Sequence, residues 1–333
     1  MKNIIITGAN GFVGSHILES FTKSTTLHTS IIAACRTPSK LPKWYKGETC
    51  IGDLSSIEYI EKLTYKADII CHTAAWAEMN GTLENSKKYF LNPTITLIKT
   101  ALKNGVKRFI FLSAITSRPI LQNKIHSNRK LEKIWPHYDS IIKIENYLKE
   151  SCNQGMEIII LHIGFFTGKN YSLGILPILL PRLNTHLVPW IKHGKTSLPL
   201  INGKDIGLAF RLAATVKLKE SFYRIDIIGK EKPLLKDVLE YLHSTYNYPL
   251  PHFNVSFPFA YTFARLMQYI HKFIPGDPLL VPAIVLLLEE SNVNNSKAGQ
   301  ILGYRPTVHW KDSIDIQLDE MNKKQTKAMK MNK

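Results

Sequence analysis

The chain has 333 residues, 44% of them apolar, and a formal net charge of +17, enough for a large core and for a main domain with a smaller lobe. No apolar run reaches the roughly 18 residues of a membrane span. The longest, Leu279 to Leu288, contains Pro282 and ends at Glu289 and Glu290, so a buried helix is expected there. Cys35, Cys50, Cys71 and Cys152 lack metal-ligand spacing and no leader pattern opens the chain, so a cytoplasmic location and no metal are expected. The lysines are interleaved with acids except in the end Lys323 to Lys330. The charge therefore reads as a solvated basic face, with no nucleic-acid site expected.

The first element is a β-branched strand, Asn3 to Thr7, running into Gly8, Gly11 and Gly14 at Gly-x-x-Gly-x-x-Gly spacing and then a helical pattern. Residues without bulky side chains let backbone N–H groups and a helix N-terminus approach a pyrophosphate closely, which is how dinucleotides are held. A second strand, Ser30 to Cys35, ends in Arg36-Thr37-Pro38-Ser39-Lys40. An acid there would bind the ribose hydroxyls of NAD and repel a 2′-phosphate. With two cations and no acid, NADP is expected ahead of NAD, with Arg36 as the better phosphate ligand and Lys40 as a second.

Asp53 follows a short apolar step, Cys50 to Gly52. It is expected either to touch the cofactor or, like Ser55, to cap a helix over Ser56 to Thr64. Strand Ile69 to His72, helical stretch Asn85 to Lys103, strand Phe109 to Ser113, helix Tyr138 to Ser151 entered through Pro136, and strand Glu157 to His162 follow in alternation. That order predicts an α/β architecture, a doubly wound parallel sheet with right-handed crossovers. From about Phe165 the pattern becomes proline-punctuated and apolar, in Leu173 to Leu183 and Phe253 to Leu288, and predicts a smaller, mostly helical substrate lobe. The expected division is 1–165, then 166–320 with about 195–230 returning to the sheet, then a basic disordered tail, 321–333. The aromatic stretch Phe257 to Ile270 is expected to pack into the core, as such stripes usually do. Its alternative is a helix lying against an anionic membrane.

Several segments together resemble the extended short-chain dehydrogenase/reductases of the epimerase/dehydratase superfamily, nearest the 3β-hydroxysteroid dehydrogenase and dihydroflavonol reductase branch. Thr7 to Gly14 is similar to that family's cofactor fingerprint, which implies Rossmann-type contacts from Gly8, Asn10, Gly11, Phe12, Val13 and Gly14. Gly52-Asp53-Leu54 resembles its adenine-side turn, and His72-Thr73-Ala74-Ala75 its loop after the fourth strand. Ile163-Gly164-Phe165 resembles its nicotinamide-end segment, with Ile163 where the family has proline. Asn92-Pro93-Thr94, Gly105 to Ile110, and Asn295 to Pro306 carry further similarity. Asp205 resembles a family acid whose implied role is a helix N-cap.

The resemblance implies a catalytic Tyr four residues before Lys, with a Ser or Thr that bonds the substrate oxygen. Here Tyr138 and Lys143 stand five apart, about 140° around a regular helix, and Asp139 takes the tyrosine's place if Lys143 keeps register. Ala114 stands at the hydroxyl position, leaving Ser113, Thr116 or Ser117 as substitutes. The expected activity is hydride transfer between NADP and a carbinol or ketone carbon of a small apolar molecule, with Lys143 on the nicotinamide ribose, Tyr138 as proton donor and Ser113 beside it. The alternatives are a cofactor-binding protein without turnover and a sugar-nucleotide epimerase or dehydratase. A homodimer through Asn85 to Lys103 and Tyr138 to Ser151 is implied by the resemblance alone.

Overall fold

The computed structural model describes residues 2–24, 29–78, 81–117, 135–170, 175–270, 280–288 and 292–331. The chain divides into two compact units: Met1–Ile163 with Gly203–Ile227 and Asn294–Arg305, and Gly164–Asn202 with Ile228–Val293 and Pro306–Lys333.

The first unit is built on β1 (Lys2–Thr7), β2 (Thr29–Cys35), β3 (Glu48–Ile51), β4 (Ile69–His72), β5 (Arg108–Ala114), β6 (Glu157–Ile163) and β10 (Phe222–Ile227). They form one sheet in the order β10-β6-β5-β4-β1-β2-β3, every pairing parallel. Ile4, Ile5, Ile6 and Ile158 to Leu161 are all fully buried, as strands covered on both faces require. Because all strands point the same way, their carboxyl ends share one edge, where ligands of such sheets bind.

Helix α1 (Phe12–Thr22) starts at Gly11 in extended conformation, with no side chain capping it. Helix α2 (Ile57–Tyr65) is capped by Ser56, whose hydroxyl accepts from the Tyr59 N–H. Capping therefore falls to neither Asp53 nor Ser55, since the residue just before the helix has the geometry to reach its third N–H. The stretch expected over Asn85 to Lys103 is α3 (Leu83–Ser86), a π turn (Lys87–Leu91) and α4 (Asn92–Lys103). Pro93 lacks the N–H that would close an α-helical bond to Tyr89, and the wider turn lies directly before it. Helix α5 (Pro136–Ser151) begins with proline in its first turn. Helix α7 (Gly203–Thr215) lies against α1; a Cβ on Gly207 would sit 2.2 Å from the His16 carbonyl oxygen. Asp205 is fully buried inside this helix's first turn, where a carboxylate suits the positive end of the helix, and so is not its N-cap.

The second unit has two short parallel pairs, β7 (Phe165–Thr167) with β9 (Leu200–Asn202) and β8 (Trp190–Ile191) with β11 (Asn254–Val255). Its helices include α6 (Ile175–Leu183), α8 (Leu235–Tyr246), α9 (Phe257–Ile270), α10 (Pro282–Leu287) and α12 (Trp310–Met331). Leucines of α6, α8 and α12 fill the main core with Trp310 and Ile314. Thr167 and Asn202 both bond the buried Ser313 hydroxyl. Helical backbone reaches Met331, into the segment expected as a disordered tail.

Helix α9 corrects the expectation of an aromatic core helix. Its buried face is Ala260 and Ala264, while Phe259 is 62% and Tyr269 62% exposed, with Phe263 and Leu266 also outward. Alanines permit close packing against Ile191 and Val285. Phe257 and Tyr261 pack against the same cluster, while Phe259, Phe263, Leu266 and Tyr269 are left outward.

Candidate functional site

At the carboxyl edge of the sheet in the first unit, the glycine loop is held by backbone geometry that side chains would forbid. Gly8 has φ +66°, and a Cβ there would lie 2.8 Å from the Ala74 backbone. A Cβ on Gly14 would lie 2.3 Å from the Gly8 carbonyl oxygen. Gly11 closes the turn by donating its N–H to Gly8 O at 2.9 Å. The turn thus presents backbone at the start of α1, with Phe12 and the buried Val13 opening the helix. That is a cradle for an anion, since the helix N-terminus carries positive partial charge and no side chain or acid occupies it.

Two neighbouring loops are tied to this turn. Thr73 Oγ1 donates to the Thr7 carbonyl at 2.7 Å, and the Thr7 hydroxyl oxygen accepts from the Thr73 and Ala74 amides. Ala75, next in this loop, is exposed. The same Thr7 hydroxyl meets His72 Nδ1 at 2.8 Å, and His72 Nε2 meets Thr94 at 3.0 Å. Burial pushes His72 down to about 3, so the ring is neutral. On the other side, Asn10 Nδ2 donates to Thr37 O at 3.1 Å and anchors the end of β2.

Arg36 is 73% exposed and stands 3.4 Å from Asp53. Asp53 Oδ1 also accepts from the Ser55 amide and hydroxyl. The Ser55 amide is the main cause that its carboxyl lies below the usual range; partial burial opposes this, and the Ser55 hydroxyl and Arg36 add to it. Lys40 is exposed in the 3-10 turn Pro38–Lys40, and Leu54 is half-buried beside Asp53. The cations expected at a 2′-phosphate and the acid expected at adenine therefore lie together on one rim, joined by an exposed pair of small energetic value.

The catalytic set is arranged differently from the family spacing. Tyr138 lies in the first turn of α5, 2% exposed, its ring stacked 4.9 Å from Trp135 at 5° between planes. Lys143 pairs with Asp139 at 2.6 Å, one helical turn away. Since α5 is helical from Pro136 onward, Tyr138 and Lys143 fall about 140° apart. Ser113 is buried and donates to Glu145 Oε1 at 2.6 Å. Ser117 donates to the same oxygen and to Ala114 O. Thr116 Oγ1 is the one of the three hydroxyls without a partner among the described residues.

Sequence reading missed the group around Glu145. This fully buried carboxylate receives Ser113, Ser117, Arg224 Nε at 3.0 Å and His162 Nε2 at 3.1 Å, and His162 Nδ1 faces Asp226 at 3.5 Å. Burial alone would raise Glu145, but the His162 and Ser113 bonds and the Arg224 charge outweigh it and hold the carboxyl low. Burial alone would lower His162, but the two carboxylates outweigh it and raise the imidazole. A second missed group is His137, 8% exposed and packed on Phe90, which bonds the Trp76 backbone just past the Thr73 to Ala75 loop. Its Nδ1 has no partner among the described residues, and burial pushes its pKa down to about 4.

Gly164 and Phe165 belong to the second unit. A Cβ on Gly164 would meet Pro199 O at 2.3 Å, and the Phe165 amide donates to that same oxygen at 2.9 Å. This unit also encloses a cavity of about 390 Å³ with aliphatic and aromatic walls, including Ile178, Leu239, Phe259 and Phe263. Arg182 is the one charged residue among its described lining. Among the described residues no cluster of His, Cys, Asp and Glu is placed to hold a metal, and no helix is long and apolar enough to cross a membrane.

Comparison with known proteins matches residues 8–175 to a family model described as NAD(P)H-binding. The chain is 20% identical to the decarboxylating sterol-4-alpha-carboxylate 3-dehydrogenase of Dictyostelium discoideum, over 95% of this chain and 99% of that protein. It is 23% identical to the enzyme of that name from Candida albicans, over 97% and 98%. Among solved structures, UDP-glucuronic acid 4-epimerase from Bacillus cereus, in complex with UDP-glucuronic acid and NAD, superposes with TM-score 0.68 at 16% identity, over 96% and 99%.

Proposed function

Because this chain belongs to the NAD(P)H-binding family and is an oxidoreductase of the extended short-chain dehydrogenase/reductase superfamily, we propose that it moves a hydride between NADP and a carbinol or ketone carbon of a small apolar molecule. The observation that carries the reading is the glycine turn, whose close backbone and uncapped helix start suit a diphosphate and leave no room for a Cβ at Gly8 or Gly14. Gly8, Asn10, Gly11, Phe12, Val13 and Gly14 would hold that diphosphate. Arg36 and Lys40 would take the 2′-phosphate, Asp53 and Leu54 the adenine, and Thr73, Ala74 and Ala75 the inner ribose.

The cofactor supplies the hydride; the chain supplies position and a proton path. Lys143 would bind the nicotinamide ribose hydroxyls, its ammonium exchanging Asp139 for them. Ser113 and Ser117 are engaged by Glu145, so Thr116 is the hydroxyl left to bond a substrate oxygen, and Ser113 positions that strand end through Glu145. Tyr138 remains the proton donor in this reading, with His137 Nδ1 as a second acceptor-donor site one residue away on α5. The apolar walls of the cavity in the second unit support an apolar substrate, as do the full-length relatives that act on sterol carboxylates. The four cysteines are free, which supports a cytoplasmic location.

The test is NADPH oxidation across ketones and aldehydes of increasing apolar bulk, wild type beside Tyr138→Phe and Thr116→Val. Turnover that falls in both variants at unchanged NADPH affinity supports the reading. Tight NADPH binding with no turnover on any substrate would instead support a cofactor-binding protein that does no redox chemistry.

A further inference from the structure

The outward face of α9 runs beyond the cavity wall, and its composition is the reverse of an ordinary surface helix. Phe259, Phe263 and Leu266 recur at i, i+4 and i+7, so they form one stripe, with Tyr269 beside it, while Ala260 and Ala264 take the buried side. Two members of that stripe, Phe259 and Phe263, also line the apolar cavity, as do Leu187, 56% exposed, and Phe253, 47% exposed. The mouth of the cavity is therefore ringed by apolar side chains that already face outward, and Leu266 and Tyr269 extend the same patch along the helix.

The chain segments that build this patch are mostly basic, although Glu289 and Glu290 follow directly after Leu288. The stretch 164–202 carries Lys169, Arg182, Lys192 and Lys195 and no acid, and from Leu250 to Leu288 the sequence holds a single acid, Asp277. Arg265 is exposed on α9 itself, and Lys192 Nζ lies 5.6 Å from the Phe257 ring at the start of the helix. A protein partner would need a complementary apolar groove with acids at its rim; an anionic bilayer offers both features over any area.

We propose that this face docks on an anionic membrane, so that the cavity takes its apolar substrate directly from the lipid phase. The inference rests on the apolar-substrate reading above for what enters the cavity, but not for the docking itself. Aromatic and aliphatic side chains sink into the headgroup boundary, while Arg265 and Lys192 remain at the level of the lipid phosphates. Docking places the cavity mouth against acyl chains, where a water-insoluble substrate is concentrated.

The test uses the full chain in co-sedimentation with phosphatidylcholine vesicles, with and without phosphatidylglycerol. The expected result is binding to the anionic vesicles that weakens as salt is raised and that falls about tenfold in a Leu266→Ser, Tyr269→Ser double variant, whose sites lie outside the cavity wall. No binding to anionic vesicles, equal binding to both vesicle types, or unchanged binding by the variant would overturn it. So would a variant that shifts a dimer to monomer in light scattering without altering vesicle binding, since the face would then belong to a second copy. NADPH titration of the same preparations separates the two readings: cofactor binding without vesicle binding removes only the docking, and the converse removes only the cofactor site.

Discussion

Replacing Gly14 by alanine adds one methyl group where the Gly8 carbonyl oxygen lies 2.3 Å away, the Ala9 Cα 2.7 Å and the Gly8 carbonyl carbon 2.8 Å. All three are backbone atoms, so relief requires the turn or α1 to move by about 1 Å before the contact becomes ordinary. A hydrogen bond near 2.9 Å that lengthens by that amount is no longer one. Charge-assisted bonds contribute about 1.5–3 kcal/mol each, so losing one or two from the diphosphate costs about 3 kcal/mol. That corresponds to about a hundredfold rise in the NADPH dissociation constant. The assay is fluorescence or calorimetric titration, with thermal melts of the unliganded variant run in parallel. A variant that remains folded and binds NADPH as tightly as wild type would refute the cradle.

Arg36→Ala is expected to weaken NADPH binding by about tenfold or more while leaving NADH nearly unchanged, because only NADPH presents a phosphate to a guanidinium; equal losses for both cofactors would remove Arg36 from that role. Glu145→Leu leaves His162 facing Asp226 with Arg224 unpartnered at the sheet, and should lower stability by about 3–5 kcal/mol in urea unfolding; a loss under about 1 kcal/mol would contradict the buried network. His72 and His137 have folded pKa values pushed down to about 3 and about 4. They stay neutral while the unfolded chain protonates from about pH 6.5 downward, so each removes up to about 1.4 kcal/mol of stability per pH unit as pH falls through that window. His162, raised, acts oppositely: its contribution is complete below about 6.5 and is lost as pH rises through its folded value. His72→Gln should therefore flatten the acid limb of a urea-midpoint profile between pH 6.5 and 4, and an unchanged slope would count against a neutral His72. Ser56→Ala should cost about 1 kcal/mol through the lost cap of α2, read from the same unfolding curves.

What could be read from the sequence is what depends on near neighbours. The strand Asn3 to Thr7, its glycine turn and the parallel order rest on residue types and spacing within a few positions, and they stand within a residue or two in the structure. The π turn before Pro93 was hidden because the helical pattern survives it on both sides. Glu145 joins partners 17 to 79 positions away, among them His162, Ser113 and Arg224, and no local pattern marks the group. Helix α9 was misjudged because aromatic periodicity shows which residues share a face but not which face is buried; the alanines at 260 and 264 held that information. In the same way, Asp139 beside Lys143 was visible as a spacing anomaly, while the ion pair that fills the tyrosine's register is a structural fact.

The most direct measurement is calorimetric titration of NADPH and NADH into the folded, unliganded protein. The account expects saturable heat with both at a single site, NADPH binding more tightly through Arg36. Absence of heat with either dinucleotide, on material whose melting transition is intact, would contradict it.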